Sequence, residues 1–265
     1  MSLTVLSGLL AAVFYLLGSI IQWRNIAGHK GSRSLVFTFG FIAVIAHAVS
    51  ALGVIKSSTG FHFGIFEIST VITLSISVLV LISSLRKPLE NLFIGLFPLA
   101  IFSIIASLTI TSSYPPTEMG IGLASHIILS IIAYSMITIA AMQAAFLAYQ
   151  NYQLKHHHAA GLISKFPPLQ EMEVFLFELL WVGEILLGLG IIGGFIFIED
   201  LGEQEGVLHK TFFSILAWIV FAGLLWGRHQ RGWRGRTAIR GTLAGFALLI
   251  IGFYGSKFVM EFILN

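Results

Sequence analysis

The sequence predicts an all-α polytopic membrane helix bundle of about eight transmembrane helices, with both termini extracytoplasmic. Three observations carry that expectation. Eight apolar runs, at 3–22, 35–55, 67–85, 90–111, 121–150, 174–198, 211–227 and 241–264, are each about 18 residues or longer, and a helix of about 20 residues spans the hydrocarbon core of a bilayer. Hydrophobic residues make up 57% of the 265 residues and charged residues 10%, against about a quarter charged in a soluble domain. Twelve of the fifteen Lys and Arg residues fall in every second gap between the runs, and basic loops stay on the cytoplasmic side of a membrane.

Taken in order, the runs alternate between basic and non-basic connections. Arg24, Lys30 and Arg33 follow the first run, Arg86 and Lys87 the third, Lys155 and Lys165 the fifth. Arg228, Arg231, Arg234, Arg236 and Arg240 follow the seventh. The intervening gaps hold Lys56, no basic residue and Lys210, with Lys257 near the C-terminus. The first run has neither the basic start nor the small-residue cleavage site of a signal peptide, so it counts as helix one. The segments predicted outside carry Glu67, Glu118, Glu199, Asp200, Glu203, Glu205 and Glu261, which makes the outer face acidic. The net charge of +3 therefore reflects short basic turns and gives no reason to expect nucleic acid. With no cysteine, the chain has no thiolate metal site and no thiol–disulfide chemistry.

Most connections are short, so consecutive helices are expected to be neighbours in a single integral membrane domain covering 1–265. The longer inner connection, from Asn151 to Glu173, holds His156, His157, His158 and the pair Pro167-Pro168, and Leu169–Phe175 reads as a helix lying at the surface before the chain turns inward. The three histidines have no carboxylates beside them and read as a solvated turn. Gly183, Gly190 and Gly194 punctuate the sixth run, the last two in the small-xxx-small spacing that lets helices approach closely.

Ionisable groups inside a membrane are costly and point to function. His47 lies near the middle of helix two. His126 lies in the outer third of helix five, with Tyr134 two turns further on what reads as the same face. Glu184 lies in helix six. Neutral imidazoles are good axial ligands to haem iron, and two facing histidines would hold one haem between helices. Against this stands a plainer reading, which the different depths of the two histidines favour: each imidazole hydrogen-bonded to a Ser or Tyr on a neighbouring helix. Glu184 fits either a protonated, hydrogen-bonded carboxyl or the wall of a hydrated cavity. The expected place for a ligand is an outer cavity beneath the 199–210 loop, between helices five and six. No serine has an acid and a histidine arranged around it, so the expectation is that the chain is not an enzyme.

The stretch Leu208–Trp218, followed by Gly232-Trp233-Arg234-Gly235-Arg236, resembles the cytochrome c assembly superfamily (CcsA/CcmC-like), and the helix count and length are closest to its short YpjD-like inner membrane branch. The resemblance implies location in a bacterial inner membrane and a haem cofactor. It assigns His126 and His47 to haem, and makes Gly232–Arg236 a cytoplasmic interface motif. The chain departs from that family where haem would be presented. The outer loop Glu199–His209 has no tryptophan, Trp226 stands where a second transmembrane histidine is expected, and the chain ends Phe262-Ile-Leu-Asn265 without the last histidine. What the resemblance implies is a haem-handling protein with a degenerate site that assists cytochrome c maturation. Three other readings stay open: a HemX-like regulator, an accessory subunit of a CorC/CNNM-type transporter, and a small-solute transporter using Glu184.

Overall fold

The computed structural model describes residues 2–28, 31–110, 116–156, 166–197 and 207–263. Among them lie helices α1 (Leu3–Ile26), α2 (Arg33–Ile55), α3 (Ile65–Ser84), α4 (Phe93–Thr109), α5 (Ile121–Lys155), α6 (Leu169–Ile196), α7 (Val207–Arg231), α8 (Arg236–Ile250) and α9 (Ser256–Phe262). A 3-10 turn leads into α4, and a π-helical turn at Ile251–Gly255 joins α8 to α9. Among the described residues, eight spans are long and apolar enough to cross a membrane, the last being α8 and α9 together. The chain is a polytopic membrane helix bundle. Its helices fall into two compact groups: α1–α4 with the last turns of α5, and the rest of α5 with α6–α9.

Small residues organise the first group. Ser7, Gly8, Ala11, Ala12 and Gly18 line the buried face of α1, whereas Leu6, Leu10, Val13, Ile20 and Trp23 are exposed on the other. That is the inverse of a soluble helix and suits contact with lipid, where packing rather than hydrophobic burial draws helices together. A Cβ added at Gly8 would stand 2.7 Å from both Leu108 and Ser50, so only glycine admits this approach to α2 and α4. Stacked Phe93 and Phe97, with centroids 4.6 Å apart, and Tyr15 against Phe97 fill the centre. Between α3 and α4, the hydroxyls of Thr73 and Ser103 hydrogen-bond at 2.5 Å. At the basic end, Arg33 pairs with Glu90 and donates to the carbonyl of Ser84 at 2.9 Å. At the other end, a two-stranded hairpin, β1 (Lys56–Ser57) and β2 (Gly60–Phe61), caps the α2–α3 connection.

In the second group, α5 packs on α6 and α8 follows α7 as its antiparallel neighbour. Gln143 donates to the carbonyl of Met172 at 3.0 Å, satisfying a group near the start of α6. The structure corrects the surface helix expected at Leu169–Phe175: these residues are the first two turns of one continuous α6. Nothing after Pro168 breaks the helix. Met172 and Phe175 are buried and Glu173 is held by Arg228, so the segment docks rather than lying flat. His209, expected in the outer loop, lies in the first turn of α7.

Candidate functional site

His47 sits in the first helix group, on α2, fully buried. Its Nδ1 is hydrogen-bonded to the Tyr15 hydroxyl of α1 at 3.2 Å and its Nε2 to the Thr70 hydroxyl of α3 at 2.9 Å. Tyr15 also meets the imidazole edge-on, with centroids 5.7 Å apart. Both ring nitrogens are thus engaged, in a place where an unmatched polar group is costly. Neither Tyr15 nor Thr70 is marked by its own sequence neighbourhood, and the reading from sequence missed both.

His126 sits in the second group and is arranged differently. Its Nδ1–H donates to the carbonyl of Gly190 on α6 at 2.9 Å. That bond fixes the proton on Nδ1 and leaves the Nε2 lone pair available, the tautomer a metal-ligating histidine uses. Among the described residues Nε2 has no hydrogen-bond partner. The ring is partly exposed and lies across the glycines of α6. A Cβ at Gly194 would stand 3.2 Å from His126 Cε1, and one at Gly190 3.4 Å from the Ser130 hydroxyl. The glycine spacing picked out in the sixth run therefore makes room for an imidazole as well as for a helix.

Tyr134 does not join His126. Its hydroxyl donates to the carbonyl of Leu249 on α8 at 3.3 Å, and its ring packs on Phe253 of the π-helical turn at 5.3 Å. Eight residues of α-helix amount to 800° of rotation, so the two side chains diverge by about 80°. A π-turn disturbs the regular carbonyl pairing of a helix, and Tyr134 supplies a donor beside it.

Glu184 is buried in α6, with both carboxyl oxygens lacking hydrogen-bond partners among the described residues. At about 100° per residue it falls on the same α6 stripe as Glu173, Phe177 and Gly188. Those three meet α7: Glu173 and Phe177 contact Arg228, and a Cβ at Gly188 would stand 3.0 Å from Trp218 Nε1. The carboxyl of Glu184 is therefore on the face directed at α7, away from His126.

The Gly232–Arg236 turn is a built structure with Glu173 at its centre. Arg228 Nη1 donates to Glu173 Oε1 at 2.7 Å and to the carbonyl of Trp233 at 3.3 Å. The backbone N–H of Gly235 donates to Glu173 Oε2 at 2.9 Å, and Arg234 lies 3.6 Å from the same carboxylate. Gly232 and Gly235 have φ of +64° and +54°, a conformation that disfavours a Cβ, so the tight reversal needs glycine at both positions. Trp233 lies against Gly227, where any Cβ would collide with the indole. The signal for Glu173 was present: with Glu171 it is one of two carboxylates at the end of a connection whose other charged residues, Lys155 and Lys165, are basic.

Of the triple-histidine run, His156 donates to the carbonyl of Tyr152 at 2.8 Å, while His157 and His158 lie outside the described residues. The loop proposed to roof an outer cavity lies outside them from 198 to 206. Among the described residues no group of His, Asp and Glu is placed to hold a metal ion.

Eight apolar spans, a basic turn tied to one carboxylate and two differently held intramembrane histidines define a multi-pass integral membrane protein. The family model described as Cytochrome C assembly protein matches residues 6–264, and the chain belongs to that family. It is 28% identical over 236 residues to the inner membrane protein YpjD of Escherichia coli, covering 88% of this chain and 89% of that one. It is 27% identical over 274 residues to an uncharacterized 28.8 kDa protein in the nifR3-like 5' region of Azospirillum brasilense, with both chains covered in full. The cytochrome c biogenesis protein CcsA of Prochlorococcus marinus is 22% identical over 192 residues, 65% of this chain and 61% of its own length. No solved structure matches.

Proposed function

We propose that this chain is a haem-handling protein of a bacterial inner membrane, related to cytochrome c assembly factors, with His126 as its one poised ligand. The observation that carries the reading is the hydrogen bond from His126 Nδ1–H to the Gly190 carbonyl, with Nε2 left unpartnered among the described residues. The family and the name of the CcsA relative support the choice of haem. Bound there, haem would supply an iron centre able to accept a neutral imidazole as axial ligand. The chain's part is to hold the imidazole in one tautomer and to keep α6 thin beneath it through Gly190 and Gly194. His47 fits the group less well, because coordination would cost it the bond to Tyr15 or to Thr70; in this reading it ties α1, α2 and α3 together. The missing tryptophans of the 199–209 segment make the site degenerate relative to the family's haem-presenting members. The role is one of binding and passing on a cofactor, without catalysis.

The test is an absorption spectrum of protein purified after expression with haem supplied. A Soret band is expected, lost in His126→Ala and retained in His47→Ala. A colourless preparation of folded protein would sink the proposal.

A second reading rests on Glu184, whose buried and unmatched carboxyl suits a proton-coupled carrier of a small solute. It requires uptake into cells or vesicles that is lost in a folded Glu184→Gln variant.

A further inference from the structure

Between α7 and α8, next to the arginine-rich turn, a groove of about 500 Å³ is lined by Ile219, Val220, Gly223 and Leu224 from α7 and by Trp233, Thr237, Arg240 and Gly241. We propose that this groove is a binding site for one anionic phospholipid, with an acyl chain along α7 and the headgroup phosphate on Arg240. The inference stands apart from the haem reading and shares no residue with it.

Three observations carry it. The floor is apolar and open: a Cβ at Gly223 would meet nothing within 4 Å, so the glycine leaves a channel instead of packing on a neighbour. From Leu224, level with Gly241 beside Arg240, to Ile219 the floor runs five residues of α7, about 7.5 Å at 1.5 Å per residue, which holds the upper part of a lipid tail. The head of the groove is cationic and uncompensated. Arg228 and Arg234 are taken by Glu173, and Arg231 lies over the rings of Trp226 and Trp233. Arg236 and Arg240 are exposed, one turn apart on α8, and among the described residues no carboxylate lies within ion-pair distance of either. A guanidinium at the edge of a bilayer seeks a phosphate, which it can bind through two parallel N–H donors. Finally, Trp233 forms one wall at the level where indole rings sit among headgroups, and the Thr237 hydroxyl stands one turn from Arg240 on α8 as a second donor. Charge and shape together favour a diacyl phosphate ester over an apolar transmembrane helix, which would leave Arg240 without its counter-charge.

The experiment is native mass spectrometry of the full chain released from detergent, after equilibration with phosphatidylglycerol and phosphatidylcholine of the same acyl composition. Phosphatidylglycerol is expected to be retained about tenfold over phosphatidylcholine: both offer a phosphate to Arg240, but choline adds a cation beside Arg236 and Arg240, and each basic residue near anionic lipid is worth about 1 kcal/mol. Arg240→Gln should abolish the preference, and Gly223→Leu, whose Cβ meets nothing within 4 Å, should reduce retention of phosphatidylglycerol while Arg240 is intact. Excess inorganic phosphate should not displace the lipid, since the tail contributes to binding. Equal retention of the two lipids by the wild-type chain would overturn the proposal, and this comparison needs no variant to fold. Wild-type selectivity in Arg240→Gln, or displacement by free phosphate, would overturn it as well.

Discussion

Two imidazoles in one bundle differ in what their nitrogens do, and that difference predicts opposite mutational outcomes. His47→Ala removes a fully buried ring and strands the hydroxyls of Tyr15 and Thr70. It should cost about 2–4 kcal/mol through cavity and lost hydrogen bonds, read as a lower melting temperature in detergent. His126→Ala loses one hydrogen bond at a partly exposed site and should cost about 1 kcal/mol or less. Equal melting shifts would contradict the separate roles given to them. Glu173 is a third kind of residue. It takes hydrogen bonds from Arg228 and from the Gly235 backbone while mostly buried. Glu173→Ala should cost about 3 kcal/mol by leaving Arg228 unpaired, and Glu173→Gln less, because an amide oxygen still accepts from Gly235. The histidines were legible in the sequence as polar residues in apolar runs. Their partners were not, since Tyr15 is 32 residues from His47 and Gly190 is 64 from His126.

At the scale of elements, the helices follow from apolar length and their close approaches follow from glycine. Gly194→Leu should push α6 away from the His126 ring, so that a loss of bound haem accompanies an unchanged helix content by circular dichroism. A retained Soret band in that variant would show that the glycine has no part in seating the imidazole. The start of α6 shows the limit of pattern reading. Leu169–Phe175 carries charges in an apolar setting and looks like a surface segment, yet Glu173 is neutralised by an arginine more than 50 residues away and the helix runs straight through. Tyr134 shows another limit: spacing by two turns suggests a shared face, but the 80° drift of eight residues sends it to α8 and a π-turn that apolar periodicity does not reveal.

For the whole molecule, the basic turns predict sidedness. Placing Arg24, Arg86, Lys155 and the Arg228–Arg240 cluster inside puts both termini outside. The chain has no native cysteine, so single cysteines introduced at residue 2, in the 58–59 turn and at the exposed Gln230 can be labelled from one side without background. The first two should react from outside and the third only after permeabilisation; the reverse pattern would invert the bundle. Changing Arg228, Arg231, Arg234, Arg236 and Arg240 together to Glu should disturb insertion of α7 and α8, visible in the same labelling. The sequence by itself determined the number of spans and the basic pattern from which sidedness is inferred, because the cost of placing charge in hydrocarbon acts on each segment locally. Only the tertiary structure decided which imidazole keeps a free nitrogen, which carboxyl is neutralised and which arginines have no carboxylate beside them among the described residues, because hydrogen bonds and ion pairs are matched across helices far apart in the chain.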